Sequence, residues 1–204
     1  MNIAAKIMTR VRAHAPGTRA FTPKDFLDLG GRAAVDQALS RLAKAGDLRR
    51  IGRGLYDRPR HSAVLGADAP ASLDAVVAAV SRRARTLVIR DDLAAANAMG
   101  LTTAVPVRPA YVAARKIGDV AIDRRLVQFH RAKSALIPWI GSPAAPIVQA
   151  LLWARATNAP LDAAAATIRR HASKGAKSAL ARNLRALPAW AIGPARRIVE
   201  NRAT

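Results

Sequence analysis

The apolar positions change period along the chain, and those changes mark its elements. Ile3, Ile7 and Val11 recur at helical spacing behind Asn2, a helix-capping residue, so a first helix is expected to about His14. Pro16-Gly17 ends it. Thr22-Pro23 is a second start, a side-chain acceptor followed by proline, and Phe26 and Leu29 give that short helix a buried side. Gly30-Gly31 turns the chain into a longer helix. There Val35, Leu39 and Leu42 form one stripe, while Ala33, Gln37, Ser40 and Lys44 fall opposite, with Asp36 and Arg41 beside them. Gly46 stands where a left-handed residue closes a helix. Residues 48–51 and 55–56 read as two short strands turned by Gly52, Arg53 and Gly54.

Helix, short helix, turn, long helix and basic hairpin, all within about 60 residues, is the order of a winged helix-turn-helix. The long helix would enter a DNA major groove and the hairpin would be the wing. An amphipathic helix followed by a hairpin also occurs in domains that touch no nucleic acid. The chemistry of the turn favours DNA: Arg49, Arg50 and Arg53 stand in it, with no acid between Leu48 and Tyr56. Arg32, Gln37, Ser40, Arg41 and Lys44 on the helix are candidate contacts, since Gln can pair with adenine and Arg with guanine. Arg49, Arg50 and Arg53 are candidate phosphate contacts.

Pro59, Gly66 and Pro70 among small residues make 57–71 a linker or domain edge. The expected division is therefore a winged helix over 1–60 and a second domain over 72–204. In the second, Ser72 caps a helix to about Arg83, and Asp91 caps another over 93–99, ended by Gly100. Strands are expected over 86–89, 105–107, 111–113, 120–122 and 126–129, with Gly118-Asp119 as a hairpin turn. Helices follow over 146–156, 161–172, 176–186 and 190–201. The fold class is α+β: the winged helix, then an α+β domain with a small sheet and a helical C-terminal part.

Charge sharpens this reading. The 204 residues carry 34 Lys plus Arg against 13 Asp plus Glu, a net charge of +21. It is spread, at +8 over 1–60, +5 over 61–140 and +8 over 141–204, so it is no terminal tail. Such an excess calls for a polyanionic partner. Arg outnumbers Lys 27 to 7, which fits the codon bias of a GC-rich genome, but that bias does not account for the shortage of acids.

The candidate chemistry is mostly negative. Without cysteine there is no disulfide framework and no thiolate zinc site, and the four histidines are too scattered for a ligand motif. The single glutamate, Glu200, leaves no Glu-x-Lys nuclease motif; there is no Walker A loop, G-x-S-x-G or G-x-G-x-x-G. Asp91-Asp92 reads as a helix cap and dipole partner, and Trp139, Trp153 and Trp190 as core residues. No enzymatic activity, cofactor or metal is expected. Lys6, Arg10 and Arg12 break any signal-peptide core, and prolines and a glycine interrupt the uncharged stretch 134–154, so a cytoplasmic protein is expected.

Residues 35–59, VDQALSRLAKAGDLRRIGRGLYDRP, closely resemble the winged-helix segment of AbiEi-type antitoxins of abortive-infection toxin–antitoxin operons. Residues 86–113, TLVIRDDLAAANAMGLTTAVPVRPAYVA, are similar to that family's second domain, where a small-residue helix with Ala-Ala-Asn and Gly-Leu-Thr precedes a β segment. The run Arg90-Asp91-Asp92 departs from the less charged loop expected there. The resemblance implies a phage-defence antitoxin with two roles. Its N-terminal domain would bind inverted repeats in its own promoter and repress the operon. Its second domain would neutralise, directly or indirectly, a toxin resembling a nucleotidyltransferase. The alternatives are a stand-alone transcriptional regulator with a ligand-sensing C-terminal domain and, least favoured by the shortage of acids, a nucleic-acid-processing enzyme.

Overall fold

The computed structural model describes residues 2–123 and 125–200 and is a mixed α+β structure with small sheets. It divides into two compact units. The first takes the chain up to Thr86 together with Asp119–Val127; the second takes Leu87–Gly118 and the chain from Gln128 onward.

In the first unit, helix α1 (Ile3–Arg12) starts where Asn2 accepts a hydrogen bond from the Ala5 amide at 2.8 Å. Strand β1 (Ala20–Phe21) leads into a 3-10 turn, Pro23–Phe26, where the Thr22 amide donates to the Asp25 carboxylate at 2.7 Å. Helix α2 (Arg32–Lys44) buries Val35, Ala38, Leu39 and Leu42, so the apolar stripe faces inward as its spacing requires. Gly46 takes φ +83° just past its end, a conformation that costs glycine little. Strands β2 (Arg49–Gly52) and β3 (Leu55–Asp57) form the expected hairpin, the first shifted by one residue toward the turn and the second one residue longer, and β1 adds to β3. The resulting antiparallel sheet runs β1-β3-β2. Ile7, Val11, Phe21, Phe26, Val35, Leu39 and Tyr56 form one core, in which Phe21 and Phe26 stack at 5.6 Å.

Residues 57–71, read as a linker, contain a second small hairpin, β4 (His61–Ser62) with β5 (Ala67–Asp68). The expected boundary at 60–72 is also displaced. Helix α3 (Leu73–Ala84), capped by Ser72 as anticipated, belongs to the first unit. Arg82 at its C-terminal end donates to the Ala20 carbonyl at 2.8 Å and to Asp25 at 3.3 Å, and Lys24 donates to the Arg83 carbonyl at 3.0 Å. These polar ties lie outside the apolar pattern, so periodicity does not reveal them. The chain returns to this unit with β8 (Val120–Ile122), which runs along β2: the Asp123 amide donates to the Ile51 carbonyl at 3.0 Å. A Cβ on Gly52 would lie 2.5 Å from the Ala121 carbonyl oxygen, so this approach of two backbones requires glycine.

The second unit opens with β6 (Val88–Arg90) and α4 (Asp92–Ala98), whose first turn is capped by Asp91 at 3.0 Å from the Ala94 amide. Strand β7 (Ala110–Ala113) pairs antiparallel with β6 and parallel with the last four residues of β9 (Arg125–Arg131), whose start pairs with β8 in the first unit. Gly118-Asp119 is therefore not a hairpin turn between consecutive strands. The hairpin joins β8 to β9, and Asp123 there has φ +51°. No strand forms over 105–107, where Pro106 lacks an amide proton to donate and Val107 is fully exposed.

A 3-10 segment, Ser134–Trp139, precedes α5 (Ala145–Ala156), α6 (Leu161–His171), α7 (Lys174–Ala181) and α8 (Ala189–Val199). The helix expected over 176–186 ends at Ala181 and resumes as a 3-10 turn, Leu184–Ala186. The expected C-terminal end of the last helix, residue 201, lies outside the described residues. Helix α5 buries Ala145, Ile147, Val148, Ala150, Leu151 and Ala154 together with Gln149, whose amide donates to the Arg90 carbonyl at 2.6 Å. Burial nearly all round explains why 145–154, the helical part of the uncharged stretch, carries no charge. Trp139 belongs to this core, whereas Trp153 and Trp190 are only half-buried. Among the described residues no helix is long and apolar enough to cross a membrane.

Candidate nucleic-acid interface

Helix α2 presents three neighbouring stripes, which its 3.6-residue period separates. One is the buried stripe already described. A second, Arg32, Asp36, Ser40 and Ala43, faces the β2–β3 hairpin across a cleft of about 510 Å³. A third, Gln37, Arg41 and Lys44, is exposed at spacings of four and three, and Lys44 also reaches the cleft rim. From the hairpin side the cleft is lined by Arg50, Arg53 and Tyr56. Arg32, Ser40, Lys44, Arg50 and Arg53 thus meet around one concave surface. Gln37 and Arg41, on the neighbouring stripe of the helix, do not line it, and neither does Arg49.

The electrostatics separate these cations. Arg41, Lys44, Arg50 and Arg53 are exposed, and none of them forms an ion pair among the described residues. Arg32 pairs with Asp36 one turn on at 2.7 Å; both are exposed, so the pair is weak and available to competitors. Arg49 is different. The register of the hairpin sets it opposite Asp57, which is 2% exposed, and the two form a two-pronged ion pair at 3.0 and 2.7 Å. Its remaining prong donates to the Ala69 carbonyl at 2.8 Å. The Asp57 carboxylate holds the Arg49 guanidinium above its ordinary pKa, against the opposing effect of burial. Arg49 therefore ties β2 to β3 and to the residue that follows β5, and it is not the free phosphate contact that its neighbours suggested. Counting outward from the turn would have set Arg50 opposite Asp57; a register shift between Arg50 and Gly52 brings Arg49 there instead.

The concave surface offers cations, the hydroxyls of Ser40 and Tyr56, and one carboxylate, Asp36, which is paired with Arg32. Of the adjacent pair Asp91-Asp92, Asp91 caps α4 as read from the sequence, and Asp92 pairs with Lys133 at 3.1 Å. Among the described residues no group of three or more His, Asp or Glu side chains could hold a metal ion.

Residues 6–174 match the model of DUF6088, a family of unknown function, and the chain belongs to that family. Neither the curated proteins nor the solved structures contain a match.

Proposed function

We propose that this DUF6088 protein binds double-stranded DNA through an N-terminal winged helix-turn-helix and represses its own promoter as the antitoxin of a toxin–antitoxin pair. The observation that carries the DNA-binding part is the cleft between α2 and the β2–β3 hairpin, where unpaired cations converge beside an exposed polar helix face. The element order also supports it. Helix, strand, short helix, helix and two strands, with a sheet ordered β1-β3-β2, is the connectivity in which a recognition helix lies beside a wing. On this reading Gln37, Ser40 and Arg41 read bases while Lys44, Arg50 and Arg53 hold phosphates.

The antitoxin part rests on the resemblance of residues 35–59 and 86–113 to AbiEi-type antitoxins. It assigns the second unit to neutralising a nucleotidyltransferase-like toxin encoded beside it.

Binding of the full chain to its own promoter region and to a scrambled duplex, measured over a salt series, tests the first part. Replacing Arg50 and Arg53 by Ala should weaken both complexes alike and reduce the slope of log affinity against log salt by up to about 0.9 for each phosphate no longer neutralised. An unchanged slope removes the hairpin from the interface. Co-expression with the neighbouring toxin gene tests the second part: undiminished toxicity in the presence of the full chain leaves a regulator without an antitoxin role.

A further inference from the structure

The cleft between α2 and the hairpin continues past the hairpin tip. A second cleft of about 340 Å³ in the same unit shares Pro23, Arg32, Arg53 and Gly54 with the first. It runs on to Lys24, to Arg83 near the end of α3, and to residues 119–121 of the returning segment. Asp119 is the only acid among the described residues that line it.

Two consecutive arginines at the end of α3 differ sharply. Arg82 is accounted for inside the unit by Asp25 and the Ala20 carbonyl. Arg83 is half-buried, yet no carboxylate among the described residues pairs with it, and burial alone acts on its guanidinium, lowering its pKa. Withdrawing a guanidinium from water without a counter-charge is unfavourable, and an anion from outside the chain removes that cost. The charge beside it points the same way, because Lys24, Arg32 and Arg53 line the same cleft. Lys24 is tied to the backbone carbonyl of residue 83, which places the two cations side by side and leaves the Arg83 side chain uninvolved in that bond.

We infer that Arg83 and Lys24 bind a backbone phosphate of the DNA strand that passes through the first cleft, extending the interface from α2, around the hairpin tip, to the end of α3. This rests on the DNA-binding reading and adds to it a contact that no motif in the first 60 residues contains. It also gives α3 and the returning segment a role in the interface, since together they wall the second cleft.

The test compares the full-length protein with Arg83→Gln and Arg83→Lys on promoter and scrambled duplexes over a salt series. Thermal unfolding by circular dichroism checks that each variant is folded. Arg83→Gln should weaken both duplexes equally and lower the salt slope by about 0.9, and Arg83→Lys should restore most of the slope. Ethylation interference should reveal one phosphate that matters to the wild type and not to Arg83→Gln, distinct from those that depend on Arg50 and Arg53. If Arg83→Gln fails to fold, Lys24→Gln carries the same expectation. Wild-type binding with an unchanged slope in the variants overturns the extension and leaves the first cleft intact. Absence of any salt-dependent duplex binding by the wild type overturns both. Arg83-dependent stabilisation by inorganic phosphate, with duplex affinity unchanged, would assign the cleft to a small free anion and overturn the duplex as its ligand.

Discussion

The two units are both basic, yet they use their charge differently. In the first, the acids are spent inside the unit: Asp25 on Arg82, Asp28 on Arg10 and Asp57 on Arg49. Those pairs bind elements together and leave Lys44, Arg50 and Arg53 unmatched around a concave surface. In the second, residues 141–204 carry a comparable excess, but Arg170 and Lys174 stand exposed on the outer faces of helices around an alanine-rich core. The cores differ as well, since stacked phenylalanines anchor the first whereas Trp139 and many alanines fill the second. An excess of positive charge is thus no address by itself. What marks a binding face is the coincidence of unmatched cations, concavity and a polar helix stripe.

The sharpest way to break this contrast is to disturb an arginine that is already matched. Arg49→Ala should leave Asp57 buried and unpaired and cost about 3–5 kcal/mol of stability in urea unfolding, whereas Arg170→Ala should stay within about 0.5 kcal/mol. Equal and small losses would mean that Arg49 is as dispensable to the fold as its neighbours. Next in size is base recognition. Gln37→Ala and Arg41→Ala should each remove about 1–3 kcal/mol of preference for promoter over scrambled DNA, while Arg169→Ala with Arg170→Ala removes none. If the second pair erodes that preference as much as the first, the second unit reads DNA and the distinction collapses. The smallest effect concerns the exposed Arg10–Asp28 pair. Arg10 holds the Asp28 carboxyl below its usual pKa, so its contribution is present above the ordinary carboxylate pKa and fades as the pH falls through the lowered value. Arg10→Gln should therefore return the Asp28 titration, followed by NMR, to the usual range and leave stability at neutral pH nearly unchanged.

What was legible in the sequence was local. The stripe Val35, Leu39, Leu42, the caps at Asn2, Ser72 and Asp91, and the hairpin around Arg53 all depend on residues within a few positions of one another. What was not legible depends on distant partners. Two residues are too few for β1 to show a period, and its pairing with β3 crosses more than thirty positions. The parallel pairing of β7 with β9 skips β8, so Gly118-Asp119 looked like a hairpin turn when it only leads the chain back to the first unit. Arg83 carries no local signal at all, since its surroundings form only when residues 119–121 return. Arg49 is the intermediate case: its type and place suggested a phosphate contact, and only the hairpin register reveals its carboxylate.

The return of residues 119–127 to the first unit has a consequence for inheritance. A DNA-reading unit built from one continuous stretch can be exchanged between genes by a single crossover, and a truncated gene can still encode it whole. Here a single crossover placed after residue 60, or even after residue 86, would deliver a first unit lacking the strand that lies along β2 at Gly52. A successful transfer has to carry both segments, and so the intervening residues 87–118 with them. The two units are therefore expected to be inherited together, and a chimera that joins the first 60 residues to a foreign effector should need β8 and the start of β9 grafted back before its hairpin holds its shape.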